Sequence, residues 1–196
     1  ELQKRIEIGI VIKQDTLENP VKITYLGIGS NLGNKISNIE KAKFELVKNE
    51  IKIIQSSGYY ESLSWPDPKK PKYLNIILKT TTKLSPLELL KKCKKIEKIL
   101  GRKKTIKNSP RKCDIDIIDY NNQQSKGNII LPHPRMHSRN FVLIPLFEIN
   151  KDWSHPVLGY KIKKLIISLS NKDIRSIKQI WNNDIINYVK FWRFNQ

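Results

Sequence analysis

The chain of 196 residues predicts an α+β fold, with helices packed on a mainly antiparallel or mixed sheet. Runs of strand-like composition recur at residues 23–28, 51–60, 73–82 and 114–118; they are short and rich in branched apolar residues. Helical periodicity separates some of these runs but not all, so the strict alternation of a parallel β-α-β array is missing. No G-x-x-x-x-G-K-[ST] or G-x-G-x-x-G pattern is present. Gly27-Ile28-Gly29 has the first half of the second pattern without its third glycine, which argues against P-loop and Rossmann sites.

Residues 1–20 are mixed, with a strand-like patch at 6–12, and read as an extension ahead of a domain spanning residues 21–181. The strand at 23–28 runs into Gly29-Ser30-Asn31-Leu32-Gly33-Asn34, a turn-rich loop. Ile36, Ile39, Ala42, Leu46 and Val47 then recur at helical spacing. After the strand at 51–60 comes a long loop, 61–72, holding three prolines. The strand at 73–82 leads to a helix with sharp ends. Ser85-Pro86-Leu87-Glu88 is a capping box with proline at the first helical position, and Gly101 supplies the left-handed stop. A basic connection, 102–113, precedes the strand at 114–118, a polar turn at 121–128 and a short strand at 129–131. Pro132-His133-Pro134 breaks the chain. Helices are predicted at 141–148 and 162–169, and a last strand at 174–180. Residues 182–196 form a tail made amphipathic by Tyr188, Phe191, Trp192 and Phe194.

A formal charge of +19 would ordinarily suggest nucleic acid. The excess is nearly all lysine, spread along the chain beside abundant Ile and Asn and the lone Ala42. That is a compositional bias filling solvated faces. Basic residues are not interleaved with aromatic ones as a base-stacking platform requires, so no specific nucleic-acid binding is expected. No apolar run approaches the ~20 residues that span a bilayer, and no secretory signal pattern opens the chain. Cys93 and Cys113 lack the C-x-x-C spacing of a metal or redox site. The expectation is a monomer in the cytoplasm with reduced thiols and no membrane partner.

The most informative residues are Asp114 and Asp116. Side chains alternate along a strand, so the two carboxylates share a face with Cα atoms ~6.5–7 Å apart. Taken alone, such a pair is more often two solvated acids on an outer strand face. Hard divalent ions take oxygen ligands of this kind, and Mg²⁺ uses one or two carboxylates plus substrate phosphates. Arg111 lies at the strand's mouth, where a planar two-pronged donor can reach a phosphate. A nucleotidyl transferase or cyclase, with paired carboxylates holding two metals on a palm-like sheet, remains a rival at this point.

The wider pattern resembles the 6-hydroxymethyl-7,8-dihydropterin pyrophosphokinases of folate biosynthesis. It rests on Gly29-Ser30-Asn31-Leu32, Tyr73-Leu74-Asn75, Ile96-Glu97 with Gly101-Arg102, Pro110-Arg111-x-x-Asp114-Ile115-Asp116, Pro132-His133-Pro134-x-Met136, Arg139-x-Phe141 and Pro145-Leu146-x-Glu148-Ile149. The joint order of these motifs, from about residue 23 to 181, is far more specific than any one of them. The resemblance implies a ferredoxin-like α/β/α sandwich and transfer of a diphosphoryl group from ATP to the hydroxymethyl group of a reduced pterin, releasing AMP. It implies two Mg²⁺ ions held by Asp114 and Asp116, with Asp116, Arg102 and Arg111 as catalytic groups. ATP contacts carried over by motif fall on Glu97, Lys104, Arg111, Ile117, His133 and Arg139. Pterin contacts fall on Tyr73 and Phe141 as a stacking pair, on the amide of Asn75, and on Ser62, Leu63 and Trp65. The chain departs from the family pattern at Lys104, usually Arg, at Ser109, usually Gly or Ala, and at Asn108, near where some members carry Trp. Residues 62–65 read Ser-Leu-Ser-Trp where prolines are common. His137 and His155 have no motif support and are expected on the surface.

Overall fold

The structure is a computed structural model that describes residues 20–102 and 109–180. Strand β1 (Lys22–Ser30) leads into α1 (Lys35–Lys48), capped by the Asn34 side chain accepting from the Ser37 N–H. Strands β2 (Lys52–Ser56), β3 (Tyr59–Ser62) and β4 (Tyr73–Thr82) follow, then α2 (Pro86–Ile99) with the reciprocal Ser85–Glu88 capping box that the sequence predicts. Next come β5 (Asp114–Tyr120) and the short pair β6 (Ser125–Lys126) and β7 (Ile130–Leu131). A 3₁₀ turn (Met136–Ser138), α3 (Asn140–Ile149), α4 (Ile162–Ile167), α5 (Asn171–Ser176) and β8 (Lys178–Ile180) complete the described chain.

The main sheet runs β5-β1-β4-β3-β8, with β2 also on β4, and each of these pairings is antiparallel. Helices cover both faces, as the α/β/α expectation requires. On one face, Leu26, Ile28, Ile76, Leu78 and Ile115 pack against Ile39 and Leu46 of α1 and Leu89 and Ile96 of α2. On the other, Tyr25, Ile77 and Ile118 meet Val142 and Leu146 of α3 and Ile162 and Leu165 of α4. Each large side chain so buried contributes about 1.5–3 kcal/mol. Cys93 and Cys113 are free thiols within the first of these cores. No helix among the described residues is long and apolar enough to cross a membrane.

Local chemistry changes several predicted boundaries. The single strand expected at 51–60 is broken, because the Ser57 hydroxyl accepts the Ile77 N–H at 2.9 Å while the Gly58 N–H turns to the Glu148 carboxylate at 3.0 Å. β2 and β3 therefore pair with β4 in succession. The last strand is confined to Lys178–Ile180, since the Ser170 hydroxyl accepts the Asp173 N–H at 3.0 Å and starts α5 instead. The polar turn at 121–128 contains β6, paired across to β7, which begins at Ile130. His155, expected on the surface, is buried, its Nδ1 accepting the N–H groups of Val157 and Leu158, both at 3.2 Å. The patch at 6–12, the domain end at Trp181, Asn108 and the aromatic tail lie outside the described residues.

Candidate active site

A cavity of about 250 Å³ opens over one face of the sheet, and its floor is the end of β1. Gly29 pairs with Asp114 of β5 on one side and with Asn75 of β4 on the other; Gly27 pairs likewise with Asp116 and Ile77. With no side chain at either glycine, a trough lies between the carboxylates and the amide. A Cβ on Gly29 would stand 3.2 Å from both Asn75 Oδ1 and Tyr73 Cδ1; one on Gly27 would stand 3.2 Å from Ile118 Cδ1. Strands lie about 4.8 Å apart, so the two walls are roughly 10 Å from each other. That separation suits a flat ligand lying on the trough with a reacting group pointed at the acids.

The acid wall is electrostatically divided. Asp114 accepts from Arg102 Nη1 at 2.8 Å and Arg111 Nη1 at 3.2 Å. Burial alone would raise its carboxyl, but Arg111, Lys94 and Arg102 outweigh that effect and hold it below the usual carboxylate range. Asp116 lies 3.9 Å from His133 Nε2 and 3.8 Å from Arg139 Nη1. Burial, and next the charge of Asp114, push its carboxyl upward. The side chains keep 25 % and 38 % exposure, so both open into the cavity. Two hard oxygen donors on one face, with room beside them, fit Mg²⁺ completed by water and phosphate oxygens.

His133 is placed by its own backbone, whose N–H donates to the Ile118 carbonyl at 2.9 Å. Ile118 is the residue that the β1–β5 register skips between Ile117 and Asp119, and this bulge re-aims the end of the strand. The Arg135 N–H donates to His133 Nδ1 at 3.2 Å, which leaves Nε2 to carry the ring proton on the side facing Asp116. Burial, Arg139 and Arg135 lower the ring pKa to about 4, so the imidazole is a neutral donor at neutral pH.

On the opposite wall, Asn75 Nδ2 donates to Ser62 Oγ at 2.9 Å and to the Tyr60 carbonyl at 3.3 Å. A carbonyl can only accept, which fixes the nitrogen on that side and turns Oδ1 towards Gly29. The amide thus offers the trough an acceptor. Tyr73 and Phe141 also line the cavity, as do Ser62, Leu63 and Trp65. The loop that follows Ser62 and carries Leu63 and Trp65 is tied down by Asn31, whose Nδ2 donates to the Pro71 carbonyl at 3.2 Å while its Oδ1 accepts the Arg111 N–H at 2.7 Å. One buried amide so links the aromatic wall to the acid wall.

The structure therefore brings together Arg102, Arg111, Asp114, Asp116, His133, Arg139, Ser62, Leu63, Trp65, Tyr73, Asn75 and Phe141. It does not bring in the side chains of Glu97 or Ile117. Strand alternation turns Ile117 into the core opposite Asp116. Glu97 is 1 % exposed and sits beneath the wall, accepting from Lys94 Nζ and the Ile115 N–H, both at 2.7 Å, and from Arg102. It supports Arg102 from below. Lys104 lies outside the described residues. Sequence reasoning passed over Lys94 and Arg135, which also line the cavity. Lys94 stands three residues before Glu97 on one helix face, a spacing that could have drawn attention to it.

The sequence profile of 7,8-dihydro-6-hydroxymethylpterin-pyrophosphokinase (HPPK) matches residues 25–151. A protein of Aquifex aeolicus named 2-amino-4-hydroxy-6-hydroxymethyldihydropteridine pyrophosphokinase is 40 % identical over 141 residues, 71 % of this chain and 88 % of that one. The folic acid synthesis protein fol1 of Pneumocystis carinii is 36 % identical over 165 residues, 84 % of this chain but 22 % of that protein. Among solved structures, a Plasmodium falciparum HPPK-DHPS superposes with a TM-score of 0.65 at 17 % identity, covering 85 % of this chain and 50 % of that one. That last likeness is one of fold.

Two outcomes follow from the charges of the wall. Glu97→Ala leaves the buried Ile115 N–H without its acceptor while Lys94 and Arg102 stay partly solvated, and a buried donor left unsatisfied costs about 1–3 kcal/mol. Urea denaturation should show a loss of that order, and a change under 1 kcal/mol would mean the network relaxes without Glu97. The His133 ring should titrate by NMR near about 4 rather than 6.5. The unfolded ring binds a proton first, so stability should fall as pH drops through that window; a resonance titrating at its ordinary pKa refutes the assignment.

Proposed function

This chain belongs to the 7,8-dihydro-6-hydroxymethylpterin-pyrophosphokinase family, and on that premise we propose how its cavity performs the transfer. A diphosphoryl group passes from ATP to the hydroxymethyl group of the dihydropterin in folate synthesis, and AMP is released. The observation that carries the reading is the row Asp114–Gly29–Asn75, which sets a divalent-ion wall and a heterocycle-edge acceptor on opposite sides of one trough.

The pterin lies over Gly27 and Gly29, its ring between Tyr73 and Phe141, and a ring N–H donates to Asn75 Oδ1. Backbone and side-chain groups of Ser62, Leu63 and Trp65 close the slot. Held this way, the hydroxymethyl oxygen faces Asp116 and the phosphate chain, and the gain is mainly one of position. Asp114 and Asp116 would hold two Mg²⁺ ions, which neutralise charge on the phosphates and help orient the attacking oxygen. Attack at the β-phosphorus builds negative charge on the phosphate oxygens. His133 Nε2–H and Arg139 donate to those oxygens from the nucleotide side. Arg102 and Arg111, held on Asp114 at rest, transfer their fork donors to the diphosphoryl group as its charge grows. Glu97 keeps Arg102 within reach during that exchange. ATP contacts at Ile117 and Lys104 belong to the same reading, supported by their places in the motif. A monomer in the cytoplasm belongs to the same reading.

Product analysis with ATP, Mg²⁺ and the hydroxymethyl pterin should find AMP; release of pyrophosphate instead would turn the reading towards nucleotidyl transfer. In the same assay Asp114→Ala and Asp116→Ala should each lose about a hundredfold or more in rate while remaining folded by circular dichroism. Near-normal turnover by both at saturating Mg²⁺ removes the metal role. Asn75→Ala should weaken pterin binding by about 1–3 kcal/mol and leave affinity for an ATP analogue nearly unchanged. Calorimetry decides this, and an equal loss for both ligands would make Asn75 a structural strut.

A further inference from the structure

One guanidinium in the cavity has no task in that scheme. Arg102 and Arg111 pair with Asp114, and Arg139 stands 3.8 Å from Asp116. Among the described residues Arg135 has no carboxylate partner, yet it lines the same cavity. It is held in place there. Its guanidinium carbon lies 5.0 Å from the centre of the Trp65 ring, and that of Arg139 lies 5.8 Å from the same centre. Its N–H donates to His133 Nδ1 at 3.2 Å, so the residue is tied to the ring facing Asp116. Trp65 remains 57 % exposed, so its indole serves the cavity rim rather than the core. An aromatic face orients a cation without neutralising it. Two guanidinium groups over one ring repel, and after burial the charge of Arg135 contributes to the downward shift of Arg139. The arrangement becomes balanced when a multiply charged anion lies between them.

We propose that Arg135 is a phosphate-binding residue for the nucleoside triphosphate, held at the cavity rim by the face of Trp65. The inference rests on the reading of this cavity as an ATP site. Arg135 supplies a two-pronged donor beside His133 Nε2–H and Arg139, so the segment 133–139 presents three donors to one phosphate chain. Trp65 belongs to the loop that follows Ser62 and also carries Leu63. The stack therefore connects the nucleotide side of the cavity with its heterocycle side.

Calorimetry of the full chain with Mg²⁺ and a non-hydrolysable ATP analogue tests this. Arg135→Gln should raise the Kd about tenfold, the low end for a lost hydrogen bond to a charged group, and Arg135→Lys should recover part of it. Trp65→Ala should cause a smaller loss that Trp65→Phe largely repairs. The double variant Arg135→Gln/Trp65→Ala should lose less than the sum of the two single losses, since the ring acts mainly through Arg135, which lies nearer to it than Arg139. Lys163→Gln on α4 removes the same charge from an exposed position and should change nothing. Equal affinity of Arg135→Gln and the unmodified chain overturns the proposal, as does an equal loss in Lys163→Gln, which would mean bulk charge alone. If the folded, unmodified chain binds no ATP analogue, the ATP site itself is refuted and this proposal with it.

Discussion

The register of β1 between β4 and β5 is the constraint on which the site depends. Side chains alternate strictly, so the pairing that sets Asp114 and Asp116 beside Gly29 and Gly27 also sends Leu26, Ile28, Ile115 and Ile117 into the opposite core. A slip of β5 by one residue would drive two carboxylates among α1 and α2, where each unpaired ion costs several kcal/mol, and would turn Ile115 and Ile117 out of that core at about 1.5–3 kcal/mol each. The core on one face thereby holds the chemistry on the other. The two glycines complete the device, since side chains on them would fill the space that the register creates.

Charge is arranged with similar economy. Lys94, Glu97, Arg102, Asp114 and Arg111 alternate in sign along one wall, linked by hydrogen bonds from the buried carboxylate of Glu97 to the cavity surface. Buried alone, any of these ions would be costly; in sequence they compensate one another. The cationic members outnumber the acids, and His133 adds a neutral donor rather than another charge. Such a wall compensates its own charges and still keeps a net positive side. The +19 of the chain is a different matter, since most of that excess is lysine spread over the surface, where screening limits its reach.

Much of this was legible beforehand for local reasons. The Ser85–Glu88 cap and Gly101 bound a helix because capping is decided within four residues. The shared face of Asp114 and Asp116 follows from the two-residue period of a strand. The misread segments are those where a side chain replaces a backbone partner. Ser57 takes the Ile77 N–H from across the sheet, Glu148 takes the Gly58 N–H from ninety residues away, and Ser170 starts a helical turn inside a strand-like run. Glu97 carried the right motif, but its side chain points beneath the wall and not into the cavity.

By itself the sequence determined most of the element types, the α+β class and the separated motifs that mark the family, because propensity, capping and periodicity act between near neighbours. Only the tertiary structure decided that Asn75 presents an oxygen and not a nitrogen, that Asn31 joins the two walls, and that Arg135 rests on Trp65 with no acid paired to it among the described residues. Each of these depends on partners far apart in the chain, and the donor-to-acceptor geometry between them exists only once β4, β1, β5 and the loops at their ends have closed around the trough.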